Sequence, residues 1–475
     1  MNTVRRIAKN TTVMLASQIV TYIFGFLYII YAARYLGVEG YGILSFGLSF
    51  ASIASIFLDL GLSTLLVREI ARDKSILNKY LENSTVIKIF LAIMVLLISV
   101  IIVYFLNYSK EVIEVVFFAS LFYIFSSFSG LFYSVFQAHE KMEYPSIGYA
   151  LNSILLLAGT LYAISHNFDV LGFAFIFFIA SLITFVYSIL VCGWKFVFPK
   201  IHVNKTFCKF LIKEALPLSF TIIFAMIAFR IDTVILSLIK GNDAVGLYNA
   251  AYRLMEVLIF IPSVFTTSIF PVFSKYHVSS KESLKMSFKM SFKYLNLLGF
   301  PIAVGVTLLA DKIILLIYGS AFAPSILILK ILIWTLPIIF LTYTFGILMV
   351  SINKQDLYMK IVLVTMVFNI VMNILFIPGF SYIGASVITI FTELISFIMF
   401  YYYLSKFICK VSIHGAIIKP AIASLIMGLF IAIFDVNLFI IIPLAIIVYI
   451  VSLLILKTFS DEDMNIFRQI TSIGK

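Results

Sequence analysis

The sequence predicts an all-α polytopic membrane protein of about fourteen transmembrane helices, and three observations predict it. Hydrophobic residues make up 63% of the 475 and charged residues only 12%, against roughly 45–50% and 25% in soluble domains. Apolar runs of roughly 20 residues, the length that crosses about 30 Å of hydrocarbon, recur along the whole chain. Basic residues crowd into every second connection and are scarce in the others, as they do when loops alternate between the two sides of a membrane. The net charge of +12 is then explained by inner loops rather than by nucleic acid, and no nucleic-acid partner is expected.

A basic head with Arg5, Arg6 and Lys9 precedes the first run, Thr12 to Ala33, which is long enough to stay in the membrane rather than be cleaved as a signal. Arg34 to Gly40 makes a tight turn into the second run, Tyr41 to Leu62, and Arg68, Arg72, Lys74 and Lys79 follow it. The third to sixth runs are Val86–Leu106, Val112–Phe136, Ser146–Ser165 and Leu171–Gly193, the last ending at Trp194, a residue type that anchors at interfaces. A basic linker, 195–213, separates an N-terminal lobe (1–194) from a C-terminal one (214–405). The seventh and eighth runs, Ala215–Leu238 and Gly246–Val272, contain Pro217, Pro262 and Pro271, which should bend or end them. Lys275 to Lys293 reads as a basic surface helix. The ninth to twelfth runs are Tyr294–Leu316, Pro324–Ile352, Ile361–Ile377 and Ile383–Leu404, with the last turn at Pro378 and Gly379. Asp311 and Lys312 should mark an outer helix end. Residues 406–475 hold two further runs, Pro420–Phe434 and Leu438–Leu456, and a polar tail. With the N-terminus inside, 26 of the 34 Lys and Arg fall on inner segments, and only Arg34, Lys110 and Lys240 on outer turns. Both termini are therefore expected in the cytoplasm.

The seventh and eighth runs carry Arg230, Asp232, Arg253 and Glu256 within apolar sequence. An ionisable side chain in lipid costs roughly 2.5–3.5 kcal/mol on insertion scales, so it is usually buried in protein or faces a watery cavity. The four are candidates either for a substrate site or for ion pairs that lock two helices. Helix geometry makes the pairs Asp232–Arg253 and Arg230–Glu256 available, and Arg253 and Glu256, at i,i+3, also share a face. Asn369 and Asn373, at i,i+4, could bond a neighbouring helix or a substrate. Glu393 could titrate or stay neutral through burial. Lys330 could reach the outer interface or line a cavity, and Lys88 should snorkel to the inner surface.

GVEGYGILSFGLSF from Gly37 overlays GNDAVGLYNAAYRL from Gly241, with Gly37 on Gly241, Glu39 on Asp243 and Gly42 on Gly246. HEKMEYPS overlays NKQDLYMK with Tyr144 on Tyr358 at a larger offset. The repeat predicts two pseudo-symmetric six-helix lobes around a central cavity, with an extra C-terminal helix pair.

No nucleotide-binding GxxxxGK[ST] occurs, the five histidines show no metal-ligand spacing, and Cys192, Cys208 and Cys409 suggest neither a metal site nor a disulfide. Neither cofactor nor metal is expected. The outer turns are too short to carry a catalytic domain.

The segments FRIDTVILS, GLYNAAYRL and IFPVFSK resemble the start of the second half of polysaccharide flippases, members of the multidrug/oligosaccharidyl-lipid/polysaccharide exporter superfamily. AARYLGVEGYGILSF, DLGLSTLLVREIARDK and NIVMNILFIPGFSYIGASVIT resemble the same family. The resemblance implies a flippase that carries a polyprenyl-phosphate- or pyrophosphate-linked oligosaccharide from the cytoplasmic to the external leaflet. Its partners would be the bilayer, that substrate and glycan-assembly proteins. It also implies that cavity arginines bind the anionic part of the substrate, though the family pattern includes basic residues in the first two spans. Here there is only Arg34, and Ser49 stands opposite Arg253 in the repeat. A cation-coupled drug or metabolite exporter is the alternative, with Asp59 as its one intraspan carboxylate in the N-terminal lobe. A membrane enzyme of glycan assembly is the second.

Overall fold

The computed structural model describes residues 3–198, 203–407, 413–434 and 436–459. Among them all regular structure is helical. The helices are α1 (Thr3–Asp59), α2 (Leu62–Arg72), α3 (Leu77–Phe105), α4 (Lys110–Ala138), α5 (Glu143–Ser165), α6 (Val170–Lys195), α7 (Lys205–Lys240), α8 (Asn242–Leu258), α9 (Phe260–Ser279), α10 (Lys281–Ile317), α11 (Ser325–Leu332), α12 (Thr335–Ser351), α13 (Gln355–Phe407), α14 (Ile413–Ile433) and α15 (Leu438–Ile455). Eleven helical stretches are long and apolar enough to cross a membrane, and Ile417–Ile433 is a shorter apolar one. Two of the eleven are double. α1 breaks at Gly37 (φ 68°, ψ −171°) and α13 at Ser381 (φ 50°, ψ −138°). Counting their halves separately gives thirteen segments, and the shorter Ile417–Ile433 brings the number to about the fourteen expected.

The breaks have local causes. Gly37 lies in a backbone region that is nearly exclusive to glycine. Pro262 has no N–H for the Leu258 carbonyl, and α8 ends there; Pro337 stands in the same relation to Ile333, between α11 and α12. Pro217 and Pro271 remain inside α7 and α9. The α13 break falls at Ser381 rather than at Pro378 or Gly379.

Three expectations are corrected. The basic segment Lys275–Lys293 is not a separate surface helix: Lys275 lies in α9 and Lys281–Lys293 start α10, where Leu284, Phe288, Phe292 and Leu295 continue one buried stripe into the span. Asp311 and Lys312 do not end that helix, which runs on to Ile317; Lys312 Nζ instead donates to the Val436 carbonyl at 2.9 Å. Lys88 does not snorkel, as described below.

The chain forms two compact units, residues 1–249 with 373–381, and residues 250–372 with 382–475. In the first, α4 packs on α6 and on the second half of α1, and α7 packs on α1 and α2. The amphipathic α2 buries Leu62, Leu65, Leu66 and Ile70 in a core shared with Leu81, Phe132 and Phe136. Its cap, Gly61, is left-handed (φ 81°), and a Cβ there would stand 2.4 Å from the Ala215 carbonyl oxygen. In the second unit, Phe288, Phe292 and Phe345 centre one core. α14 and α15 pack on each other and on α10, and Tyr449 donates to the Leu297 carbonyl at 2.8 Å.

The repeat is visible in the backbone. Four positive-φ residues recur in the same order in both halves of the sequence, Gly37 and Gly241, Asn107 and Gly319, Glu140 and Asn353, Asn167 and Ser381, while Leu60 and Gly61 in the first half and Lys457 after the second have no counterpart among the described residues. The ends of α4 and α12 close alike, Lys141 N–H donating to Phe136 at 2.9 Å and Lys354 N–H to Met349 at 2.8 Å. These ends set Glu140 opposite Asn353, one residue from the register that pairs Tyr144 with Tyr358.

Cys192 and Cys208 are free thiols. Cys208 bonds Asn83 Oδ1 at 3.4 Å, and burial pushes its thiol pKa up. Cys409, most of the tail and Lys475 lie outside the described residues.

Candidate substrate site

Two spans bring charge into the apolar interior, and the structure gives each charged group local partners. Asp232, on α7, is 2% exposed. Its carboxylate accepts from the Tyr248 hydroxyl of α8 and from the Thr233 N–H at 2.9 Å. One residue along both helices, Asn249 Nδ2 donates to Thr233 Oγ1 at 3.3 Å and to the Val245 carbonyl at 3.1 Å. Nearer the turn, Ser237 donates to Asn242 Oδ1 at 3.2 Å and shares a 2.9 Å bond with the Tyr108 hydroxyl. The α7–α8 turn is thus tied by a ladder of polar side chains. Tyr248 and Asn249 are polar partners that sequence reasoning passed over; they sit at the helical spacing that puts them opposite Asp232 and Thr233.

Arg253 takes the i,i+3 option on its own helix. Its Nη1 lies 2.7 Å from Glu256 Oε2, with the side chains 20% and 25% exposed. Arg230 is half-buried on α7, and Lys330 half-buried in the last turn of α11. Asn369 is buried and donates to Thr392 Oγ1 at 3.3 Å, an interhelical bond across the two halves of α13. Asn373 is fully buried. Glu393 accepts from Thr342 Oγ1 at 3.5 Å.

A second charged cluster lies at the other end of the first unit. Lys88, on α3, is 1% exposed. Its three ammonium donors are all used: Asp59 Oδ1 at 2.7 Å, and the carbonyl and hydroxyl of Ser127 on α4 at 2.8 Å each. Asp59 also accepts from the Ser63 hydroxyl and, at 3.4 Å, from the Ser63 N–H in the first turn of α2. Lys88 stays buried because a paired, fully hydrogen-bonded ammonium gains nothing by reaching for water. The signal available in sequence was that Asp59 and Lys88 both fall near the inner end of adjacent spans.

The polysaccharide biosynthesis protein family matches residues 7–277, more than half of the chain. This chain belongs to that family. A second family, MatE, matches residues 217–375. Among relatives of this polysaccharide biosynthesis protein is the capsular polysaccharide biosynthesis protein CapF of Staphylococcus aureus, 24% identical over 84% of this chain and 99% of CapF. Another is the probable low-salt glycan biosynthesis flippase Agl15 of Haloferax volcanii, 23% identical over 42% of each chain. The fold is that of the lipid II flippase MurJ in an inward closed conformation (TM-score 0.77, 17% identity, 92% of this chain and 97% of MurJ). It is also that of an inward-facing multidrug resistance MATE family transporter (TM-score 0.68, 14% identity, 81% of this chain and 93% of the transporter). The family member described here is therefore a multi-pass membrane protein with a transporter fold.

Proposed function

We propose that this protein flips a polyprenyl-phosphate- or pyrophosphate-linked oligosaccharide from the cytoplasmic to the external leaflet, for surface polysaccharide or glycan assembly. The observation that carries the reading is the family match over residues 7–277, joined to similarity along 99% of a capsular polysaccharide biosynthesis protein. The physical need is plain: a sugar head cannot cross hydrocarbon unaided, and a polar path through protein shelters it while the lipid tail stays in the bilayer. The backbone repeat supports alternating access, in which one repeat moves against the other.

In this reading the protein is a transporter and not an enzyme, both termini lie in the cytoplasm, and Lys240 lies outside. Arg253 and Arg230 are the groups proposed for the phosphate, since a guanidinium fork matches phosphate oxygens. Asp232 and Glu256 orient that charge. Lys330, Glu393, Asn369 and Asn373 are proposed polar contacts to the glycan. Deletion should leave lipid-linked glycan trapped on the inner leaflet while its synthesis continues. A strain that instead fails to make the precursor would make the protein a biosynthetic enzyme.

The MatE match over residues 217–375 favours one second reading, cation-coupled export; Asp59, outside the matched stretch, would be its coupling carboxylate. Accumulation of cationic dyes in the deletion strain, with glycan transfer intact, would select it.

A further inference from the structure

A pocket of about 340 Å³ opens between the end of α1, the start of α2, α4 and α7, wholly within the first compact unit. That volume is in the range of small-molecule sites. Its polar lining includes Asp59, Ser63, Thr64, Tyr123, Ser126 and Ser219. Such a concentration of hydroxyls around one carboxylate is unusual in membrane-spanning sequence, where each polar group needs a partner.

The partners present determine what the pocket offers. Ser219 spends its proton on the Leu216 carbonyl at 2.8 Å, and Ser63 spends its own on Asp59. Both hydroxyl oxygens keep acceptor capacity. Asp59 is 35% exposed, and its Oδ2 holds only the long Ser63 N–H bond. With the hydroxyls of Thr64, Tyr123 and Ser126 beside them, the pocket offers both donors and acceptors around one carboxylate. A phosphate would set its charge beside the Asp59 carboxylate, while the Lys88 ammonium has all three donors in use. A free cation would meet the Lys88 ammonium already 2.7 Å from the carboxylate. The Asp59–Lys88 pair leaves the site without net charge, which suits a neutral ligand with several hydroxyls.

Gly130 is the second, independent observation. It lies in mid-α4 and lines the pocket, yet a Cβ built on it meets nothing within 4 Å. Glycine is a poor residue for a helix interior, and no neighbour requires it here for packing. Its effect is to keep the pocket open.

We infer that this pocket binds one neutral sugar ring of the glycan head, with Asp59 accepting from ring hydroxyls and Lys88 holding Asp59 in place. The inference rests on the glycan-flipping reading. Its test is Gly130→Leu, whose side chain grows into the empty space while improving the helix. Protein in lipid nanodiscs is mixed with neutral methyl hexosides and methyl N-acetylhexosaminides, and saturation transfer to the sugar protons is read by NMR. Wild type should give transfer above empty nanodiscs, unaffected by sodium chloride or inorganic phosphate. Gly130→Leu, equally well folded by size exclusion, should lose it at least fivefold. Absence of transfer in wild type, equal transfer in Gly130→Leu, or displacement by either salt would overturn the inference. In cells, Gly130→Leu should trap lipid-linked glycan on the inner leaflet as deletion does. Normal flipping by Gly130→Leu beside a trapped deletion strain would sink the pocket and leave the flippase reading standing. A deletion strain with unchanged outer-leaflet glycan would sink that reading itself.

Discussion

Gly42 and Gly246 meet backbone to backbone in a reciprocal contact. A Cβ on Gly42 would stand 1.9 Å from the Asn242 carbonyl oxygen and 3.0 Å from the Gly246 nitrogen. A Cβ on Gly246 would stand 2.1 Å from the Val38 carbonyl oxygen and 3.2 Å from the Gly42 nitrogen. In the repeat, Gly42 corresponds to Gly246 and Val38 to Asn242, so each glycine faces the counterpart of what the other faces. That is the signature of a two-fold contact, in which one patch is complementary to its own copy. Small residues are what allow helix backbones to approach so closely in a membrane.

It follows that Gly42→Ala and Gly246→Ala should each destabilise the protein by about 1–3 kcal/mol or more, because the atoms in the way are backbone and cannot rotate aside. Gly25→Ala, whose Cβ would meet only Tyr28 Cε1 at 3.9 Å, is the control and should be neutral or stabilising. Thermal unfolding followed by fluorescence-detected size exclusion measures all three. Equal melting of Gly42→Ala and Gly25→Ala would show that the close approach does not exist.

The Asp59–Lys88 pair predicts an asymmetry. Asp59→Ala leaves a buried ammonium with only Ser127 as partner, and breaking a buried pair in this way costs about 3–5 kcal/mol. Lys88→Met leaves a carboxylate that is 35% exposed and still bonded to Ser63, so it should cost clearly less. The double variant should be milder than Asp59→Ala alone. Melting temperatures of the three variants test this, and equal losses in the two single variants would count against the assigned burial.

Much of the fold was legible because a membrane span is a statement about length and polarity that needs no tertiary information. The fourteen segments, the Pro262 break and the Gly37 turn follow from apolar length, a missing N–H and a glycine-only backbone. Helix ends were less legible. α7 starts at Lys205 and α10 at Lys281 because basic, water-facing turns extend the helix beyond the hydrocarbon, where hydropathy is silent. α2 was missed because its stripe of Leu62, Leu65, Leu66 and Ile70 is too short to read as a span. At the site, the charged residues were legible but their partners were not. Whether Lys88 snorkels or pairs depends on Asp59 and Ser127 arriving from two other helices, which spacing along one chain does not reveal.

The topology proposal is open to cysteine labelling in intact cells, in a background without the native thiols. A cysteine at position 240 should react with an impermeant maleimide without permeabilisation, and one at position 79 or 285 only after it. The argument is the Lys and Arg asymmetry, which sets orientation through short loops. Labelling of position 240 only in opened cells would invert the assignment.

Arg253 supplies the sharpest test of the charged hairpin. Its guanidinium is paired with Glu256 at 2.7 Å, yet a fifth of the side chain remains exposed. If the pair only fastens one turn of α8, Arg253→Ala leaves the Glu256 carboxylate three-quarters buried, and the melting temperature should fall together with flipping. If Arg253 engages the substrate phosphate, Arg253→Ala should abolish flipping while insertion and melting temperature stay unchanged. Arg253→Lys should recover it partly, since an ammonium keeps the charge but lacks the planar fork. Glu256→Ala distinguishes the roles further: it removes the carboxylate beside the guanidinium, so flipping should persist, with a changed apparent affinity for the lipid-linked substrate. The deciding comparison is Arg253→Ala against Arg253→Ala with Glu256→Ala, read as outer-leaflet glycan in the deletion strain. Recovery in the double variant would mean that the single variant failed through an unpaired Glu256, and the phosphate role of Arg253 should then be abandoned.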